Sequence, residues 1–124
     1  MPKAILIKIG KYVVEAELND SKTAGLIYDA LPYETDFSTW GDEIYFSTPV
    51  KADSENEKEV VDAGEIAYWP PGRAFCIFWG PTPASFGNEI RPASPVNPLG
   101  KIKGNSKIFN KLVKESEHIK LEKV

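Results

Sequence analysis

Apolar positions along this chain switch between a spacing of two and a spacing of three to four, and the switches mark out its elements. Residues 4–9, apolar except for Lys8, read as a buried strand. In Tyr12–Leu18 the pattern alternates, with Val14, Ala16 and Leu18 on one face and Val13, Glu15 and Glu17 on the other. Gly10-Lys11 between them predicts a hairpin. The spacing then becomes helical: Ala24, Ile27, Tyr28 and Leu31 fall at i, i+3, i+4 and i+7, behind a cap supplied by Asn19, Asp20 or Ser21. Pro32 ends the helix, because proline disfavours the α conformation of the residue before it.

Strands resume at residues 33–39 and 44–48, around the turn Trp40-Gly41-Asp42-Glu43. Residues 53–59 (DSENEKE) read as a mobile polar loop, and 59–61 as the start of a further strand. Glu65–Trp69 and residues 74–79 make a strand pair around Pro70-Pro71-Gly72, followed by a turn-rich excursion over 80–98. A short strand is predicted at 99–103. Ser106 caps a second helix with Ile108, Phe109, Leu112 and Val113 on one face, and residues 118–124 close the chain as a strand. A meandering antiparallel sheet with only two helices fits a closed β-barrel whose ends the helices plug.

A length of 124 residues suits one domain, 1–124. The longest apolar run is six residues, too short to span a membrane, and Lys8 interrupts the N-terminal run before a signal-peptide core can form. A cytoplasmic location is expected, in keeping with a lone Cys76 that has no partner for a disulfide. Glutamine is absent while Lys, Glu and Pro are plentiful, a balance that points to a thermophilic source. The net charge of −3 conceals a gradient: residues 1–62 carry six basic and thirteen acidic groups, residues 63–124 nine and five. The basic half lacks the clustered blocks of a nucleic-acid binder and reads as one side of a dipolar surface, so no nucleic-acid partner is expected.

Cofactor and metal chemistry find little material. One His and one Cys cannot build a zinc site, and Asp53-Ser54-Glu55-Asn56-Glu57 lacks the glycine and spacing of a calcium loop. No phosphate-cradling glycine loop is present. A nucleophile would need His118 as its base, and Cys76 sits inside an apolar strand, where a thiol usually behaves as a small hydrophobe.

Residues 65–104 contain seven prolines and six aromatics around the run Ala74-Phe75-Cys76-Ile77-Phe78-Trp79. Prolines in such number punctuate short antiparallel strands. On that central strand Phe75, Ile77 and Trp79 point one way and Ala74, Cys76 and Phe78 the other.

These segments resemble the cyclophilins, the barrel-shaped peptidyl-prolyl isomerases. The opening β-β-α with SKTAGLIYDAL on its helix, the GRAFCIF strand (72–78) and the close LGKIKG–helix–strand (99–104 onward) follow the family's order, with shorter loops. YWPPGRAFCIFWGPTP and SPVNPLGKIKG look more closely like a prokaryotic family of small cyclophilin-like proteins of uncharacterised function. The resemblance implies a mainly β, closed antiparallel barrel with two short capping helices, filled by Phe75, Ile77 and Trp79, with Ala74, Cys76 and Phe78 turned towards the groove.

It does not carry over the isomerase residues. The family's Phe-His-Arg matches Phe37-Ser38-Thr39, and its Phe-Met-x-Gln matches Ile44-Tyr45-Phe46-Ser47, so the catalytic arginine becomes Thr39 and a glutamine becomes Ser47. The Gln-Phe-Phe of the groove strand becomes Ala74-Phe75-Cys76, and the groove histidine falls near Val96. No arginine precedes Arg73. A charged donor of this kind is typically worth a few kcal/mol in the transition state.

The expected function is therefore a non-catalytic module that binds a peptide or small ligand through Thr39, Tyr45, Ser47, Cys76, Phe78 and Phe86. Two alternatives stay open: an atypical isomerase using Arg73 or Arg91, and a structural or oligomeric protein in which these side chains only pack a core or a subunit interface. No catalytic residue, metal ligand or cofactor is assigned, and the oligomeric state is left undetermined by the sequence.

Overall fold

In the computed structural model, which describes residues 3–124, the chain forms a nearly closed antiparallel barrel. Its strands are β1 (Lys3–Ile9), β2 (Tyr12–Leu18), β3 (Tyr33–Asp36), β4 (Ser38–Thr39), β5 (Glu43–Ser47), β6 (Glu65–Trp69), β7 (Ala74–Phe78), β8 (Asn97–Ile102) and β9 (His118–Lys123). Helix α1 (Lys22–Asp29) follows β2, and α2 (Phe109–Glu115) precedes β9. The ladder runs β3-β9-β1-β2-β8-β6-β7-β5-β4, so β3 and β4 are its free edges, joined in sequence through Phe37. Across this seam the Tyr33 hydroxyl donates to the Ser47 carbonyl at 2.7 Å, and the rings of Tyr33 and Phe46 stack at 6.4 Å.

Alternation fills the interior. Ile5, Ile7 and Ile9 of β1, Val14, Ala16 and Leu18 of β2, Ile44 and Phe46 of β5, and Phe75 and Ile77 of β7 all face inward and are buried. Burying side chains of this size stabilises by about 1.5–3 kcal/mol each relative to exposure. The helices sit at opposite ends of β1. At the Lys3 end, Tyr28 of α1 receives the Lys3 ammonium over its ring at 4.4 Å. At the Gly10 end lie Glu115 and Ser116, which follow the buried Phe109 and Leu112 of α2. Trp79, still in the core beyond the end of β7, stacks on Phe109 at 5.5 Å and donates through Nε1 to Asn110 Oδ1 at 2.8 Å.

Several local expectations are revised. The strand read over residues 33–39 breaks at Phe37, whose ring turns into the core. Residues 59–61 form no strand; Lys58 and Val61 make isolated bridges to Val96 and Ile90. Strand β8 begins two residues earlier than the apolar pattern suggests. Ser21 is the cap of α1, its hydroxyl accepting from Ala24 N at 3.1 Å. Before α2 the cap is Asn105, accepting from Lys107 N at 3.0 Å, while Ser106 is buried against Gly64.

The polar loop over 53–59 is pinned by the buried Asn97. The Asn97 Oδ1 accepts from Glu55 N at 2.8 Å, and its Nδ2 donates to the Asp53 carbonyl at 2.9 Å and Thr23 Oγ1 at 3.2 Å. The Glu55 carboxylate then accepts from Lys22 N, Thr23 N and Thr23 Oγ1, at 3.0, 2.8 and 2.6 Å, and so satisfies the free donors of the first turn of α1. These bonds, the Thr23 hydroxyl first, hold the carboxyl of Glu55 below its ordinary value.

Candidate functional site

On the outer face of β6 and β7, Ala67, Ala74, Cys76 and Phe78 form a second, smaller apolar cluster with Val61, Ile90 and Val96 of the connecting segments, and Trp69 packs against it. Covering this face is the excursion between β7 and β8. Backbone bonds tie that segment down, Val61 N to the Ile90 carbonyl at 2.9 Å and a reciprocal Lys58–Val96 pair at 2.9 and 3.0 Å. Inside it, Thr82 Oγ1 donates to the Arg91 carbonyl, and Ser85 Oγ accepts from Arg91 N at 3.0 Å. The excursion is thus an ordered cover that carries Pro92, Ala93 and Val96.

Between cover and sheet lies a cavity of about 190 Å³ lined by Trp40, Glu43, Tyr45, Trp69, Cys76, Pro92, Ala93 and Val96. Register explains the lining. Tyr45 of β5 pairs with Cys76 of β7, so the two share the outer face, and Glu43 is two residues back along the same row. Trp40 closes one side. Its N–H donates to the Glu43 carbonyl at 3.0 Å, in a turn wedged against residues 80–83 so tightly that a Cβ on Gly41 would lie 2.9 Å from the Pro81 oxygen. Trp69 forms another wall, fixed by a bond from Nε1 to Ser94 Oγ at 2.7 Å.

Glu43 is 6% exposed, and among the described residues it has no ion-pair partner. Burial pushes its carboxyl up to about 7, opposed in part by a hydrogen bond from the Cys76 thiol. The Cys76 thiol moves the same way, well above its ordinary value, through burial first and then the neighbouring carboxyl. A thiol held protonated is not a nucleophile at neutral pH. The lining contains no histidine; His118 lies on β9, where its ring nitrogens face Asp36 and Glu34 at 3.0 and 3.2 Å. Among the described residues no group of three or more His, Cys, Asp or Glu is placed to hold a metal ion, and no helix is long and apolar enough to cross a membrane.

Of the residues singled out by sequence, Tyr45 and Cys76 line the cavity. Phe78 shares their face but is wholly buried in the small cluster beneath. Ser47 continues the Tyr45 row beyond the cavity, exposed and opposite Ala74. Thr39 is exposed and pairs with Ile44, so it takes the other face of the ladder, while the next residue, Trp40, lines the cavity. Phe86 is 77% exposed on the excursion, its ring 5.8 Å from the Arg91 guanidinium. Neither arginine lines the cavity. Arg91 is held by Glu89 at 2.7 Å, and Arg73 sits in a left-handed turn (φ 49°) beside a wider polar depression of about 500 Å³ beyond Trp69.

The sequence reading missed Glu43, Trp40 and Trp69 among the strands and turns, and Pro92, Ala93 and Val96 in the cover. A signal was present: Glu43-Ile44-Tyr45-Phe46-Ser47 alternates in full, and starting the strand at Glu43 places it on the Tyr45 face. Assigning Trp40 to Glu43 wholly to a turn concealed both.

The whole-chain comparisons agree with this architecture. A solution structure of a hypothetical protein from Archaeoglobus fulgidus is similar at 39% identity and a TM-score of 0.81, over 99% of this chain and 95% of that one. No curated protein matches the chain significantly. The family described as cyclophilin-like matches residues 3–122, and the chain belongs to that cyclophilin-like family.

Proposed function

We propose that this protein is a binding module whose cavity beneath the excursion takes a small ligand or a single side chain of a peptide. One observation carries the reading: an apolar, aromatic-walled cavity with one buried carboxyl in its lining. Ligand sites are typically concave and mostly apolar, with a few polar groups that fix orientation. A volume of about 190 Å³ is of single-ring size, since a cavity of about 150 Å³ admits benzene. The bonds that tie the excursion to residues 58–61 and Ser94 to Trp69 support a site formed before the ligand arrives. Catalysis of prolyl isomerisation finds no support in the lining, which presents no arginine.

A fragment screen by amide and indole NMR tests the proposal. Binding is expected to shift Trp40, Trp69 and Val96 and to be lost in Ala93→Trp, which adds an indole to the lining. Hits that map elsewhere, or survive in that variant, would overturn it. A protease-coupled proline-isomer assay is expected to show only the spontaneous rate; catalysis abolished by Arg73→Ala would replace binding with isomerase activity.

A further inference from the structure

We infer that the cavity selects a small organic cation of the alkylammonium class, seated among the rings of Trp40, Tyr45 and Trp69 and against the carboxylate of Glu43. The inference rests on the cavity being a ligand site and specifies what that ligand is.

Three of the eight lining residues are aromatic. Ring faces attract cations through their quadrupole, most strongly where water is excluded, and recognition of quaternary ammonium groups uses such aromatic walls. Elsewhere in this chain half-buried and exposed rings already have cations. Lysines cover Tyr12 and Tyr28, and Arg91 faces Phe86. Among the described residues none of these pairs, and none of the ring stacks, involves Trp40, Tyr45 or Trp69.

The carboxylate points the same way. A buried carboxyl without a counter-charge is costly to ionise, which is why burial raises its pKa. Among the described residues no cation pairs with Glu43, and the neighbouring Cys76 thiol only partly opposes the effect of burial. A cation bound in the cavity would supply the missing charge. An anion would be repelled by Glu43 and would meet no Lys, Arg or His in the lining. A polyol would find few free side-chain donors, since the Trp69 indole N–H is already given to Ser94. Size agrees too: about 190 Å³ suits a methylated amine head group better than a larger cofactor.

The test is a titration with tetramethylammonium, choline, a trimethyllysine peptide and 3,3-dimethyl-1-butanol, the uncharged isostere of choline, followed by tryptophan fluorescence and NMR at pH 8. The charged probes are expected to bind saturably, with choline at least tenfold tighter than the butanol. Glu43→Gln should weaken choline at least tenfold and leave the butanol unchanged. Trp40→Leu provides an independent variant should Glu43→Gln fold poorly, and it should weaken choline by a similar factor. Tighter binding of the peptide than of choline would place the cation on a protein side chain; the reverse would make it a free metabolite. If the butanol binds as well as choline, the cation inference fails while the ligand site stands. Failure of every ammonium probe, with apolar fragments still bound in the cavity, has the same consequence. If neither fragments nor ammonium probes bind there, both readings fail.

Discussion

Cys76 lies diagonally across the β5–β7 ladder from Glu43, and its thiol opposes in part the rise that burial imposes on the pKa of that carboxyl. Burial raises the pKa of both groups, and at Glu43 the thiol opposes that rise. Removing the donor should therefore raise the Glu43 pKa further above about 7. Cys76→Ala is expected to move the carboxyl titration upward. Cys76→Ser, whose hydroxyl is the stronger donor, should move it downward. Both shifts are read from the side-chain carboxyl carbon by NMR; an unchanged midpoint in Cys76→Ala would show that the thiol does not donate.

Stability should fall as pH rises through the interval that separates the unfolded and folded values of Glu43. Below its ordinary 4.5 the group is protonated in both states and its contribution is fully present. Between 4.5 and about 7 the unfolded chain has released the proton and the fold still holds it, so stability declines; above 7 the decline ends. At about 1.4 kcal/mol per unit, the loss is of order 3 kcal/mol. His118 acts in the same direction. Asp36 first, then Glu34, raise its pKa, so its support is present below 6.5 and lost as pH passes the raised value. Urea denaturation between pH 4 and pH 9, in a His118→Ala background, isolates the carboxyl. Glu43→Gln should flatten the curve and exceed its parent in stability at pH 8; an unaltered slope would refute this assignment.

Asn97 should be worth more than its neighbours in β8. Its amide joins Thr23, Asp53 and Glu55 to that strand, holding the loop and the start of α1 at once. Removing it strands buried polar groups, a loss of about 1–3 kcal/mol. Asn97→Ala is expected to lower the urea midpoint accordingly. Hydrogen exchange should accelerate at the amides of Lys22, Thr23 and Glu55, as the loop over 53–59 comes away from α1. Retained protection at those amides would mean that the Glu55 cap holds the loop unaided.

The barrel was legible because alternation is enforced by burial on one face: Tyr12–Leu18 and Glu65–Trp69 fall where the pattern places them, and the Phe75/Ile77/Trp79 set separates from Ala74/Cys76/Phe78 as the strand period requires. The cavity was half legible. Tyr45 and Cys76 follow from that same period, but Trp69 and Val96 meet them only through pairing between β6 and β7 and through the cover, which join residues distant in sequence. Glu43 was hidden for a different reason: an acid beside Gly41-Asp42 has the composition of an exposed turn, and nothing local tells that it lines a cavity with Pro92, Ala93 and Val96 of the distant cover. The order of the 53–59 loop depends likewise on Asn97, some forty residues away.

Gly100, in the LGKIKG segment, should be the least replaceable glycine of the sheet. It pairs with Leu18 on one side and Ile66 on the other, at φ 151°, and a Cβ there would collide with the Glu17 carbonyl oxygen. That obstacle is backbone, so relief requires β2 and β8 to separate. Gly100→Ala is expected to cost about 3 kcal/mol or more, the upper range for overpacking combined with a strained dihedral. Gly25 offers the opposite case. It lies within α1, a Cβ added there would meet nothing within 4 Å, and its φ is not positive. Gly25→Ala should stabilise by about 0.5–1 kcal/mol, because alanine loses less backbone freedom on entering a helix. Urea midpoints of the two variants, compared with the parent protein, should therefore move in opposite directions; a Gly100→Ala protein as stable as its parent would show that β2 and β8 can separate at little cost.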